Sequence, residues 1–499
     1  MKLSAGWRFP GVARRNFLRL AGATALTQTV PARAAGQPPS ATAPELWTSA
    51  FAGQTVWGYA DKHSVVAGEP FGLMLSTGSG RETVKGRIEF FRIGHHPPDG
   101  QRLIWSGPEL TVTPQPLSRT AAATGAAWPP AISDIPTAAW APGYYSADFI
   151  HTETGARELQ VAQILIRNTS RERVLLKLST NTYQAYNAWG GHSLYPSEDA
   201  AQRGTIVAFD RPTAPSFFEY EVYLARWLEE LGADHGFGID YATDFDVHRN
   251  PASIDGYSLV ISGSHDEYWS KEMFDAFETR IFHLGRNVIF FGANAAYCQV
   301  RFADIDCPPD GAQLGRQLVC YKNLTDPISR RPADIDPALL ATTWFRQDAR
   351  RPESMLMGVA YQSWFQPTPD GPHYPYFVES TDAPFFAGLN YKVGDVAAEV
   401  VGYEWDNRDP EGDGKRLWDA EDSRIASLQQ DSIKVLFRGE PVDADGKPGR
   451  AEAVYFRSAA GAKVFSAGSI RWAWGLGKPG FERDVFKRFN ANLILDFLN

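Results

Sequence analysis

The densest run of chemically capable side chains in this sequence is Ser264-His265-Asp266-Glu267-Tyr268. It supplies a hydroxyl, an imidazole, two carboxylates and a phenol, the groups used for proton transfer, nucleophilic attack or coordination of a hard cation. Three further polar runs accompany it: Ser179 to His192 (STNTYQAYNAWGGH), Thr243 to His248, and Gly292-Ala293-Asn294. A plainer reading exists for single members of the first run. Asp266 or Glu267 can complement the dipole of the following helix, and Tyr268 can pack in a core. Ser264 beside His265 also allows a metal-free hydrolase, but the Gly-x-Ser-x-Gly elbow that exposes such a serine is missing. No cysteine occupies that turn, which argues against thiol catalysis.

These runs matter because of the elements that carry them. Val174-Leu175-Leu176-Lys177-Leu178 is a continuous apolar run of the kind buried in a parallel sheet. FGIDYATD (237–244), YSLVIS (257–262) and NVIFF (287–291) read as further strands. Between them, Leu224, Trp227, Leu228 and Leu231 repeat at helical spacing up to Gly232. Ser270 is placed to cap a second helix with an inner face of Phe274, Phe277, Ile281 and Leu284, ended by Gly285. Strand–helix alternation predicts a doubly wound α/β sheet, whose ligands bind beyond the carboxyl ends of the strands. All four polar runs follow a strand, so one sheet edge gathers them.

Upstream, residues 46–168 show short alternating runs such as GRIEFFRIG, PGYYSADFI and ELQVAQILIR, separated by Gly and Pro. This pattern predicts an immunoglobulin-like β-sandwich. The stretch from about Ala303 to Asp395 is rich in Pro and Asp and reads as an irregular wrap or lid. AAEVVGYEWD, IKVLFRG, AEAVYFRS and AKVFSAGSIRWAWGL restore order before a closing helix. The expected division is a targeting segment at 1–34, a linker at 35–45, the sandwich at 46–168 and the α/β domain at 169–499.

The motifs TNTYQAYNAWGG, FDRP, WLEELG, SHDEYWS, FFGANAAY, VVGYEWD and GSIRWAWGL occur in this order. Together they resemble the C-terminal domain of the N,N-dimethylformamidase large-subunit family, over about residues 170–499. The resemblance implies a glutamine-amidotransferase-like, flavodoxin-like core. It also implies a mononuclear Fe(III) site with two tyrosinates and one glutamate, acting on a small amide. Phenolate and carboxylate are hard oxygen donors suited to such an ion. On this resemblance Tyr268 is one metal ligand, and Tyr186 the second, or else Tyr220 or Tyr223. Glu404 is the carboxylate, with Glu267 as the fallback. His265, Glu267 and Asn294 are the residues expected to assist catalysis. A small partner subunit belongs to the family enzyme and has no counterpart in this chain. The competing expectation is a non-catalytic binding protein for a sugar or other small polar ligand on the same scaffold.

Charge and leader restrict the setting. Net charge is −9, and the first 34 residues hold six basic side chains and no acid, so the remainder carries −15. A balance this acidic without a basic run disfavours nucleic-acid binding. Arg14-Arg15 precede Phe17-Leu18, a mildly apolar stretch and Ala32-Arg33-Ala34. Basic, apolar and small segments in that order predict twin-arginine export to the periplasm or beyond, with no stable membrane span after cleavage. Three cysteines, Cys298, Cys307 and Cys320, make no disulfide framework, though Cys307 with Cys320 is a plausible single bridge.

Overall fold

The computed structural model describes residues 54–78, 82–195, 203–213, 216–304, 314–322, 324–330, 340–343, 351–367, 371–408 and 433–499. The expectations for residues 1–34, for 35–45 and for Cys307 lie outside them. The fold is mixed α and β, with several sheets.

From Gln54 to Arg167 the described residues form two sheets around one core. Trp57–Ala60, Phe71–Ser76 and Pro130–Ile135 make an antiparallel trio. The second sheet runs Ser64–Val66, Arg157–Arg167, Gly143–His151, Val84–Ile93 and Gln101–Ser106. Successive strand residues point to opposite faces. Leu73 and Leu75 from the first sheet therefore meet Ile88, Phe90, Ala147 and Phe149 from the second, with Trp140 filling the same core.

The rest centres on a nine-stranded mixed sheet. Five parallel strands lie in the order Ile239–Ala242, Val174–Lys177, Leu259–Ser262, Asn287–Phe290 and Lys463–Ser466. Ala451–Arg457, Lys434–Gly439, Tyr374–Val378 and Val396–Val401 continue it with antiparallel pairing. Both faces of the parallel part are buried. Leu176, Ile261, Ile289 and Phe465 enter one core beneath the helices Glu221–His235 and Asp484–Leu498. Leu175, Val260, Val288 and Val464 enter the other, beneath Lys271–Glu278. This double burial is why these strands are apolar throughout rather than alternating.

Three details depart from the sequence pattern. The helix containing Leu224 and Leu231 does not stop at Gly232. It runs to His235 and ends where Gly236 adopts φ +73°, a left-handed conformation that costs glycine least. Ser270 does cap the next helix, its Oγ accepting from the Met273 amide at 3.3 Å. That helix then widens into a π turn over Thr279–His283. The extra residue rotates the following positions, so Leu284 is 44% exposed while Phe274, Phe277 and Ile281 are buried. Finally, Tyr374–Val378, from the stretch expected to be irregular, is an integral strand of the main sheet. Its pairing shifts register near Pro375, which has no amide hydrogen to contribute.

A smaller sheet covers the carboxyl edge of the parallel strands. It orders Ile206–Ala208, Gln317–Val319, Cys298–Ala303 and Tyr268–Ser270. A separate two-stranded ribbon pairs Ala360–Trp364 with Glu404–Asn407.

Candidate active site

Lys177, at the end of the first parallel strand, organises the edge. Its ammonium donates to Asp244, the first residue of helix Asp244–Arg249 after strand Ile239–Ala242, and to Asp266 Oδ1 at 2.8 Å, in the loop after Leu259–Ser262. Asp244 accepts from the Asn181 amide at 2.7 Å, at the head of the short helix Thr180–Tyr186. Asp266 also accepts from Ser262 Oγ at 2.6 Å. Three strand-end loops are thus tied to one fully buried cation. Burial opposes the charge on Lys177, but the two aspartates outweigh it and its pKa is raised. Burial pushes the Asp244 carboxyl up to about 7, against the pull of Lys177. The fourth loop is brought in by close approach. A Cβ on Gly292 would stand 1.6 Å from the Ser264 carbonyl oxygen, so only glycine allows the 292–294 turn to abut the 263–267 turn.

These loops deliver a cluster around Glu267, whose side chain is wholly buried. Tyr186 Oη donates to Glu267 Oε2 at 2.7 Å. Tyr195 Oη lies 2.6 Å from each carboxylate oxygen, and Tyr268 Oη donates to Tyr195 Oη at 2.8 Å. His265 Nε2 stands 3.4 Å from Glu267 Oε2 and 3.4 Å from Glu404 Oε2. At that length both contacts are ion pairs, and Nε2 makes no good hydrogen bond among the described residues. Tyr403 Oη and His265 Nδ1 are 3.2 Å apart. Asn294 donates from Nδ2 to Glu404 Oε2 at 2.6 Å, and its amide donates to Asp406 Oδ1 at 2.9 Å. Asn294 holds φ +52°, a conformation asparagine tolerates better than most residues.

Electrostatics follow from burial. It pushes the phenols of Tyr186, Tyr268 and Tyr403 well above their usual value, and the nearby carboxylates push the same way. These phenols are protonated donors when protons are the only positive charges present. Burial alone would lower the His265 pKa, yet Glu267 and Glu404 raise it to about 9. An imidazolium therefore sits between the two acids and offsets one of their two charges. Burial also holds the Asp406 carboxyl well above the carboxylate range.

Of the residues picked from sequence, Tyr186, His265, Glu267, Tyr268, Asn294 and Glu404 all fall in this one cluster. Tyr268 reaches Glu267 through Tyr195, whereas Tyr186 reaches it directly. Tyr220 donates instead to Glu219 at 2.7 Å, and Tyr223 lies on the same helix near Gly477. Ser264 Oγ is buried without a hydrogen-bond partner among the described residues, and neither imidazole nitrogen of His265 is bonded to it, so the pair does not form a serine–histidine dyad here. Sequence reasoning passed over Tyr195, Tyr403 and Lys322. The Lys322 ammonium lies 3.2 Å from the Tyr195 ring centroid and 3.9 Å from Glu267 Oε1. Tyr403 adjoins the chosen Glu404 and was within reach of the motif; Tyr195 and Lys322 lie in stretches with no periodic signal.

The donor set suits a hard cation. Among the described residues no group of three His, Cys, Asp or Glu side chains is arranged to hold a metal. Phenols supply what such a group lacks: Tyr186 and Tyr195 converge on the Glu267 carboxylate, with His265 Nε2 unspent beside it. A cation there would replace the phenolic protons and the imidazolium charge. A family model described as N,N-dimethylformamidase beta subunit-like, C-terminal, matches residues 87–484. The match begins within the two-sheet region, earlier than the motifs that suggested it. No curated protein matches the chain.

Proposed function

Since this chain belongs to the N,N-dimethylformamidase beta subunit-like C-terminal family, we propose that the Glu267 cluster is the centre of an iron-dependent hydrolase for a small amide. The observation that carries the proposal is the convergence of Tyr186 and Tyr195 on one carboxylate, at 2.6 to 2.7 Å, beside His265. Tyr186, Tyr195 and Glu267 would hold Fe(III), with Glu404 and His265 adjoining. Bound there, the ion supplies Lewis acidity toward a carbonyl oxygen and lowers the pKa of water. His265, held between two carboxylates, is placed to take or return a proton at Nε2. Asn294 fixes Glu404 through its amide and so limits where that carboxylate can swing. The buried setting excludes bulk water and strengthens each of these interactions.

The finer architecture belongs to the same proposal. A parallel strand order of second, first, third, fourth, fifth supports a doubly wound, flavodoxin-like core, and two sheets around one core support an immunoglobulin-like module. Export by the twin-arginine route rests on Arg14-Arg15 and the segment that follows. Among the described residues no helix is long and apolar enough to cross a membrane.

Hydrolysis of simple formamides by protein of measured iron content tests the proposal. Turnover should track iron, and Glu267→Gln should abolish both. Full turnover by iron-free protein would refute it.

A further inference from the structure

A pocket lies where the two-sheet region meets the large sheet, with Thr180, Tyr183 and Gln184 of helix Thr180–Tyr186 in its lining. The lining also includes the apolar Leu178 and Phe209, the ring of Tyr144, and the cations Lys62, Arg211 and Arg316. The seam is firmly built. The His63 ring stacks on Phe245 at 4.5 Å and its Nε2 lies 2.9 Å from the Gly315 carbonyl, while Ser64 Oγ donates to Asp246 at 2.7 Å.

Two guanidinium groups here are only partly accounted for. Arg211 is fully buried and spends its donors on the carbonyls of Ala208, Trp189, His192 and Gln184, with no carboxylate partner among the described residues. Its charge is therefore unbalanced, and burial pushes its pKa down to about 9. Arg316, nine-tenths buried, uses Nε and Nη2 on Asp210 Oδ1, at 3.0 and 2.6 Å, and Nη2 also on the Ala60 carbonyl. Its Nη1 has no hydrogen-bond partner among the described residues. A buried charged donor left unspent is costly unless something occupies it. The acids nearby are already engaged: Asp210 by Arg316, Asp61 by the Gly72 amide, and Glu69 by Lys62 at 3.0 Å.

We propose that this inter-domain pocket binds a small organic monocarboxylate, its carboxylate on Arg316 and its short apolar body against Leu178, Tyr144 and Phe209. Arg316 Nη1 supplies a charge-assisted hydrogen bond, and Arg211 supplies uncompensated positive potential from within the wall. The site is distinct from the Glu267 cluster and does not depend on the function proposed for it.

Calorimetric titration of the full chain with benzoate, and with benzyl alcohol as the uncharged counterpart, tests this at constant ionic strength. Saturable one-to-one binding of benzoate is expected, with benzyl alcohol weaker by about ten-fold or more. Arg316→Gln should weaken benzoate by a similar factor, and Arg316→Lys, which keeps the charge but loses the forked donors, by about three-fold. Tyr186→Phe should leave benzoate binding unchanged, which separates this pocket from an iron-bound carboxylate. If Arg316→Gln fails to fold, Arg316→Lys decides. Absence of saturable binding, equal affinity for both probes, indifference to Arg316→Lys, or loss of binding in Tyr186→Phe would overturn the proposal.

Discussion

Asp266 and Glu267 are neighbours in sequence and belong to opposite kinds of charge cluster. Asp266 meets a lysine at 2.8 Å and a serine hydroxyl at 2.6 Å, in a network whose partners are close and matched. Glu267 faces a histidine at 3.4 Å, shared with a second glutamate, and phenols that burial keeps protonated. The first arrangement is complete as it stands. The second leaves an imidazole nitrogen without a hydrogen bond among the described residues and sets phenols, rather than a close cation, on its carboxylate. Adjacent positions can thus serve as anchor and as proposed metal site, and the difference is legible in satisfaction of polar groups rather than in residue type.

The largest effect that sharpens this contrast is expected at the anchor. Lys177→Met strands two buried aspartates and should cost about 3–5 kcal/mol in denaturant unfolding. A loss well below that would mean Lys177 does not hold the loops together.

Next comes pH. In iron-free protein His265 keeps its proton to about 9 when folded, against about 6.5 unfolded. A raised folded pKa stabilises fully below the unfolded value and is lost as pH climbs through the folded one. Relative to His265→Asn, the parent should therefore lose on the order of 3 kcal/mol between pH 6.5 and 9. Identical pH profiles for the two proteins would remove the imidazolium from the account.

A smaller pair compares the neighbours directly. Asp266→Asn should destabilise iron-free protein by about 2 kcal/mol, since it weakens charge-assisted bonds to Lys177. Glu267→Gln should change iron-free stability by less than about 1 kcal/mol, because Glu404 still pairs with His265. Thermal or denaturant melts of the two variants, read side by side, would break the comparison if their order reversed.

Much of this was readable from sequence because it depends on local pattern. The unbroken apolar strands identified a sheet buried on both faces, and each strand was followed by a polar run. The strand-end rule gathers Tyr186, His265, Glu267 and Asn294 at one edge, and the structure places them in one cluster. What escaped depends on geometry that no local period encodes. Tyr195 reaches Glu267 across 72 positions in sequence from a loop. Lys322 reads as an ordinary surface cation in a Pro- and Asp-rich stretch, yet its ammonium lies over two tyrosine rings. Gly232 looked like a helix stop, but a glycine ends a helix only if it turns left-handed, and Gly236 does so. The π turn after Glu278 could not be anticipated from spacing, because the apolar period continues through it to Leu284 while the backbone does not.

The central claim is that Tyr186 and Glu267 hold iron. Metal analysis together with visible absorption of the purified parent, Tyr186→Phe and Glu267→Gln proteins tests it most directly. The account predicts about one iron per chain and a phenolate-to-iron band in the parent. Tyr186→Phe should weaken or shift that band, and Glu267→Gln should lose both iron and band. Iron content and spectrum unchanged in both variants would contradict it.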